Sequence, residues 1–541
     1  MLIILRKLFS HGLTIAAACL LAGGVGIFWA LGSIDQIFAY RSPLKNSPPL
    51  LHAQVSGQVA RQVVIVLVDA LRYDTASEET VMPVLAQLRN TGASARMHSR
   101  APSYSQPGYT TLLTGAWPDL NDGPPVNKAY ADLWTFTQDD LFSMAHRAGL
   151  KTAVSGYYWF ERMIPQQAVS ASFYTAGEDR AADRAVVDAA LPWLRSGAYA
   201  LVLIHIDQVD FAGHHEGGPH DPRWNQAAAR ADQLLGEILA SLELSRDIVL
   251  VVSDHGQIDR GGHGGHDAVT LVEPFVIAGK SIKPGQYPDI QMVDVAPTIA
   301  ALVGAGQPAS SQGRPLTEWF DLSPEWGFQA RAYAENQHQK LLETLQIALD
   351  APEAGSMEEI QARQRQTGMA WRITVLLAGL LVPALILVWL RGAGWRWWLG
   401  GGVLSQAVFH LYYGVIDNRT YSLSSVDSQA QLLTSATIGA LLGLLAGGLL
   451  VVLAARRIKR QPARALIVFV CLSVYLQSFP VLWSYFVNGW RIQGVLPEAG
   501  SAFVGVLAAL QMAVTGVSGL AIASAAALAH QLMLLRRSAA H

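Results

Sequence analysis

Ser253-Asp254-His255-Gly256-Gln257-Ile258-Asp259-Arg260-Gly261-Gly262-His263-Gly264-Gly265-His266 follows directly on the apolar run Asp247-Ile248-Val249-Leu250-Val251-Val252. A continuous apolar run of this length reads as a strand buried on both faces, and open α/β sheets place their chemistry just beyond the carboxyl ends of such strands. The glycines let the loop fold back, so that a second histidine reaches the cavity that Asp254 and His255 enter. The stretch therefore reads as one wall of a metal site.

Three other segments repeat the pattern. The run from Arg61 to Val68 delivers Asp69, and Leu201 to Ile206 delivers Asp207, Asp210 and Gly213-His214. Between them, Ala101-Pro102-Ser103-Tyr104-Ser105-Gln106-Pro107-Gly108 offers a hydroxyl on a turn ahead of the helix-like Tyr109 to Thr114. A helix N-terminus there favours an anion beside the serine. Asp69, Ser105, Asp210, His214, Asp254, His255 and His263 together suit two divalent ions, and the imidazoles favour Zn2+, with Mn2+ as the alternative, over magnesium or calcium. Each residue alone has a commoner explanation as a cap or turn former; four strand-end clusters in one chain do not. Strands near 62–68, 152–155, 200–206, 247–252 and 274–278 alternate with helical stretches near 81–90, 138–148, 180–194 and 223–242. This alternation predicts an α/β fold, a largely parallel sheet with helices on both faces.

The motifs resemble the alkaline phosphatase superfamily, and within it the branch of type I phosphodiesterases and glycosylphosphatidylinositol (GPI) ethanolamine phosphate transferases. Ser253-Asp254-His255-Gly256 with Gly262-His263-Gly264-Gly265, and Val209-Asp210-Phe211-Ala212-Gly213-His214 with Gly218-Pro219, carry the resemblance, which covers roughly residues 60–310. It implies an α/β/α sandwich, with Asp69, Ser105, Asp254 and His255 at one metal and Asp210, His214 and His263 at the other. His266 is the reserve ligand. The branch usually has threonine as nucleophile; here Ser105 matches, ahead of Ser103 and Thr110. Sulfatases of the superfamily place an arginine after the proline that follows the nucleophile, and Ser105-Gln106-Pro107-Gly108-Tyr109 has none, which disfavours sulfate esters. Asn127 matches the asparagine that helps hold the phosphate oxygens, although it is equally a turn residue. Metal proximity lowers the serine pKa, and two in-line displacements through a phospho-serine intermediate are expected.

At 541 residues, 51% hydrophobic and 15% charged, the chain is too apolar for one soluble domain. Apolar runs at 13–38, 373–390, 397–416, 432–454, 465–487 and 502–535 predict six spans. Counted from a cytoplasmic N-terminus, they put the clusters Arg391/Arg396, Arg456/Arg457/Lys459/Arg460/Arg464 and Arg536/Arg537 inside. Both termini are then cytoplasmic, and residues 39–370 with connectors 417–431 and 488–501 lie on the extracytoplasmic side of a plasma or inner membrane. The first run exceeds the ~7–15-residue core of a signal peptide, which favours a retained anchor. Cys19 and Cys471 both fall in spans, so no disulfide is expected. The predicted organisation is an anchor (1–38), a linker (39–60), a catalytic domain (61–322), a helical linker (323–370) and a membrane domain of about five spans (371–541). The formal net charge of −2 excludes a general case for nucleic-acid binding.

A six-span tether suits an enzyme whose donor or acceptor is a lipid. Together with the resemblance to the ethanolamine phosphate transferases, this implies transfer of a phosphoethanolamine-like group from a phospholipid donor to a lipid-linked or sugar hydroxyl acceptor. A phosphodiesterase or nucleotide pyrophosphatase with water as acceptor uses the same residues. The non-enzymatic alternative is a membrane scaffold or transporter, against which stand a complete ligand set and few charges within the spans.

Overall fold

The computed structural model describes residues 23–49, 57–389, 394–490 and 492–538. The predicted first span therefore lies partly outside the described residues, as do Cys19, Arg391 and part of the first linker; helix is seen over 23–38.

The apolar runs form the sheet. Strands β1 (Val63–Val68), β5 (Leu201–Ile206) and β6 (Ile248–Val252) are buried along their whole length. With β3 (Thr152–Tyr157) and the edge strand β4 (Ala171–Thr175) they make a parallel set in the order β4-β3-β5-β1-β6. The sheet continues through β7 (Val272–Gly279), antiparallel to β6, and β2 (Ala93–His98), antiparallel to β7, with the two-residue strands β8 (Gly285–Gln286) and β9 (Ile290–Gln291) pairing β2. Alternate side chains of the central strands feed opposite cores: Ile65, Leu67, Leu203 and Leu250 pack on one face with Tyr109, Phe142 and Phe160, while Val64, Val66, Ile204 and Val251 pack on the other with Trp224 and Leu235. The fold is the expected α/β class.

The carboxyl ends of β1, β5 and β6 lie side by side, because Leu67 pairs with both His205 and Val252. Asp69, the helix Gln208–His215 and Asp254 therefore emerge from neighbouring strands at one sheet edge. The helix Pro324–Ala348 packs back on this domain, with Gln337 Nε2 donating to the Ala309 carbonyl at 3.0 Å.

Beyond it, the helices Gln429–Arg457, Pro462–Asn488 and Ala499–Ser538 contain stretches long and apolar enough to cross a membrane. The helix beginning at Met369 forms a fourth candidate with Met357–Gln366, from which it bends by 42°. The run expected at 397–416 is a 17-residue helix, Trp395–Leu411, continued by one π-helical turn, Tyr412–Ile416. Leu441, Leu445, Leu449 and Leu453 form an exposed stripe on one helix face, the pattern of a surface turned to lipid. Inside the bundle the helices touch backbone to backbone: a Cβ on Gly443 would stand 2.4 Å from the Ser405 carbonyl oxygen. Trp29 and Ala30 of helix 23–38 pack with Val481, Val506 and Ala509.

Candidate active site

Ser105 is the first residue of the helix Ser105–Thr114 and is buried. Tyr104, the residue before it, makes no side-chain cap. Asn127 supplies one from the neighbouring segment: its Oδ1 accepts from Gln106 N at 3.0 Å while its Nδ2 donates to Ser105 Oγ at 3.3 Å. On its other side, Ser105 Oγ lies 3.2 Å from His255 Nε2. The hydroxyl thus sits at a helix N-terminus between an amide donor and an imidazole, where negative charge on an attached group would be stabilised.

Around this serine the predicted residues converge in two adjoining groups. In the first, His255 Nε2 lies 3.4 Å from Asp69 Oδ1 and 3.3 Å from Asp254 Oδ2. Ala70, in the left-handed region at φ 60°, turns its N–H to Asp254 Oδ1 at 3.2 Å. In the second, Asp210 and His214 share one helix face, and His263 Nε2 lies 2.8 Å from His214 Nε2 and 3.4 Å from Asp210 Oδ1. The His255 and His263 rings stack at 4.0 Å, joining the groups.

The donor set fits divalent metal ions. Asp69 Oδ1 and Asp254 Oδ2 are buried without a hydrogen-bond partner among the described residues, a costly state for carboxylate oxygens unless a cation meets them. His255 Nδ1 faces the Gly256 carbonyl at 3.1 Å and His263 Nδ1 the Ser103 carbonyl at 3.0 Å. Donation from Nδ1 leaves each Nε2 lone pair pointing into the cluster, the arrangement a ligating histidine adopts. Burial, followed by the neighbouring His255 and His214, holds His263 well below the usual imidazole range and keeps that lone pair available. Burial and then the neighbouring Asp69 raise Asp254 well above the carboxylate range. Asp69 departs downward: burial pushes it up, but His205, His255 and Tyr109 together outweigh this.

Sequence reasoning missed several residues here. His205 Nε2 meets Asp69 Oδ2 at 3.0 Å and Tyr109 Oη at 2.9 Å, and Tyr109 also donates to Asp69 Oδ2, so this pair fixes the outer oxygen and leaves Oδ1 facing inward. A histidine inside the apolar run of β5 was the available signal. Gln257 Nε2 donates to Asp210 Oδ1 at 2.6 Å. Ser103, considered as a nucleophile, instead accepts from Gly264 N at 3.0 Å. Asp207 stands beside Asp69 and His205 in a third, fully buried cluster. His266 does not join the ligands and lies against Gly500, whose added Cβ would be 3.0 Å from its Nε2.

Residues 63–122 and 125–309 match the family model described as type I phosphodiesterase / nucleotide pyrophosphatase. This places the α/β domain in the alkaline phosphatase superfamily, an enzyme domain of phosphoryl transfer, and the family implies divalent metal at the clustered Asp and His side chains. Among curated relatives, the chain is 25% identical over 336 residues to GPI ethanolamine phosphate transferase 3, catalytic subunit, of Homo sapiens, covering 56% of this chain and 30% of that protein. It is 27% identical over 346 residues to GPI ethanolamine phosphate transferase 2 of Schizosaccharomyces pombe, covering 55% of this chain and 44% of that protein. A third relative, the 2,3-bisphosphoglycerate-independent phosphoglycerate mutase of Nostoc punctiforme, is 30% identical over 149 residues, 25% of this chain and 27% of its own length. The matched part thus spans less than half the length of each of these relatives.

Proposed function

We propose that this chain is a membrane-embedded phosphotransferase that moves a phosphoethanolamine-like group from a phospholipid to a (glyco)lipid hydroxyl through a covalent Ser105 intermediate. The observation that carries the reading is the placement of Ser105 Oγ at a helix N-terminus, 3.3 Å from Asn127 Nδ2 and 3.2 Å from His255 Nε2. In this reading one Zn2+ is held by Asp69, Ser105, Asp254 and His255 and a second by Asp210, His214 and His263. Bound there, the ions would lower the serine pKa and neutralise charge on the phosphoryl oxygens. Ser105 Oγ attacks phosphorus, an Oγ–P bond forms, and the bond from phosphorus to the diacylglycerol oxygen breaks. In the second displacement the acceptor oxygen bonds to phosphorus and the Oγ–P bond breaks. Asn127 holds a phosphoryl oxygen and orients the hydroxyl; Tyr109 and His205 keep Asp69 turned inward.

The membrane bundle supports a lipid substrate. A cavity of about 410 Å³ opens between Gln36, Arg41, Leu349, Arg365, Asn488 and Val495, where helices 23–38 and Pro462–Asn488 end. In this reading the domain bounded at 61–322 faces the extracytoplasmic side of a plasma or inner membrane, with both termini cytoplasmic. The phosphodiesterase reading, with water as acceptor, draws on the family's own description.

Mass spectrometry of wild type and Ser105→Ala, incubated with zinc, phosphatidylethanolamine and a total lipid extract, separates these readings. Transfer predicts a lipid that gains phosphoethanolamine with wild type alone. Release of free phosphoethanolamine alone would identify a hydrolase, and turnover by Ser105→Ala would remove the serine from the reaction.

A further inference from the structure

The loop that carries His263 is held from two sides. From the nucleophile side, Ser103 accepts from Gly264 N through Oγ at 3.0 Å and donates through the same hydroxyl to the Gly265 carbonyl at 3.1 Å. From the opposite side comes the connector between the helices Trp395–Leu411 and Gln429–Arg457. Ser424 Oγ accepts from Gly265 N at 3.0 Å, and Ser422 Oγ accepts from His266 N at 3.2 Å. Arg260 Nη1 donates to the Asn418 carbonyl at 2.9 Å. The approach is too close for a side chain at the crossing: a Cβ on Gly265 would stand 1.7 Å from Ser422 Oγ, and one on Gly262, at φ +106°, would stand 2.3 Å from the Ser424 carbonyl oxygen.

The connector is itself built as a rigid piece. Ser422, Ser424 and Ser425 are at most 1% exposed. Arg419, also buried, donates to the Asp417 carboxylate and to the Ser425 carbonyl, closing the loop on itself. A mere tether would need none of this. The hydrogen bonds land on Gly265 and His266, two and three residues after His263, whose Nε2 must meet Asp210 and His214.

We infer that Ser422 and Ser424 of the membrane connector are positioning residues for the His263 metal ligand, so that the Asp210/His214/His263 site is completed by the membrane bundle. The inference rests on the metal reading above. Displacing the connector frees the loop and loosens one ligand of three, and the Asp69/Asp254/His255 group, which makes no hydrogen bond to the connector among the described residues, keeps its ion. Loss of such an outer support costs on the order of 10–100-fold in metal affinity.

The test uses the full chain in detergent, loaded with Zn2+ for stoichiometry and with Co2+ for its visible spectrum. In Ser422→Ala/Ser424→Ala the second ion should dissociate on the order of 10–100-fold more readily and the Co2+ band of that site should change, with the first ion retained. Gly265→Ala should produce the same loss, because its Cβ would stand 1.7 Å from Ser422 Oγ and 2.6 Å from Ser424 Oγ and so push the connector away. Two ions held at wild-type affinity with an unchanged Co2+ spectrum in the double variant would overturn the inference and leave the proposed function standing. Wild type binding no metal would overturn both.

Discussion

Stripping the metal should destabilise the α/β domain, and the structure sets the size of the effect. Asp69 Oδ1 and Asp254 Oδ2 are both buried with no hydrogen-bond partner among the described residues. An unsatisfied buried acceptor costs about 1–3 kcal/mol, more when charged, so two carboxylate oxygens put the cation's contribution at roughly 2–6 kcal/mol. Mass action gives a figure in the same range: a ligand at about 1,000 times its Kd stabilises by about 4 kcal/mol. For a domain of this size each kcal/mol moves the midpoint by about 2–4 °C, so chelation should lower the thermal transition by roughly 5–20 °C. The assay is scanning fluorimetry of detergent-solubilised full chain, chelated and then reloaded with Zn2+. Asp254→Asn, which replaces one orphan oxygen and removes its charge, should respond to chelation much less than wild type. Coincident transitions for chelated and reloaded wild type would refute the reasoning, because the clustered carboxylates would then be satisfied without a cation.

Other perturbations follow from single contacts. Ser105→Ala should abolish the covalent phosphoryl adduct seen by intact-protein mass spectrometry while leaving metal stoichiometry within one ion of wild type; an adduct on the variant would place the nucleophile elsewhere. Tyr109→Phe removes the hydroxyl that donates to Asp69 and should weaken metal binding on the order of 10-fold in a competition titration, whereas unchanged affinity would reduce Tyr109 to core packing. Asp140 caps the helix Leu141–Arg147, and burial pushes its carboxyl up to about 6 from the ordinary 3.8. Because the folded value is the higher one, ionisation opposes folding: the cost is absent below about pH 4, grows as pH rises through the folded value, and reaches about 3 kcal/mol above it. Asp140→Asn keeps the cap and should therefore raise the melting temperature at pH 7.5 but not at pH 4, and an equal shift at both would show that charge is not the cause.

Much of this architecture is written locally. The Val- and Ile-rich runs of β1, β5 and β6 can be buried only on both faces, and the acidic residues directly after them have to appear at one sheet edge, which is why Asp69, Asp210 and Asp254 were legible. β2, Ala-Ser-Ala-Arg-Met-His, offers no such run; it pairs with the antiparallel β7 on one side and only with the short β8 and β9 on the other. The orientation of β7 depends on where the chain returns after the His263 loop, which no local pattern encodes. Tyr109 looked like core, and it is core, but its hydroxyl reaches Asp69 only because the Ser105–Thr114 helix lies across β1 and β5. Ser103 looked like a rival nucleophile, and its place two residues before Ser105 turns its hydroxyl instead to the Gly264 N–H and the Gly265 carbonyl, 161 and 162 residues away in sequence.

Both sides of the nucleophile are fastened to the membrane part of the chain. On one side the connector grips the His263 loop at Gly265 and His266. On the other, the segment that follows helix 23–38 grips residues 119–128: Lys128 Nζ donates to the Phe38 carbonyl at 2.9 Å, Tyr40 Oη to the Asp119 carbonyl at 2.8 Å, and Arg41 pairs with Asp122 at 2.6 Å. Asn127 lies in that second segment and touches Ser105. A hinged domain on a flexible stalk needs no such contacts, and each one narrows the poses open to the site relative to the bundle. If the donor is a lipid, as proposed, these contacts limit where a headgroup held at the membrane edge can meet the serine. On the proposed function, that constraint gives a physical reason for building a phosphoryl-transfer domain into a bundle rather than hanging it from one helix.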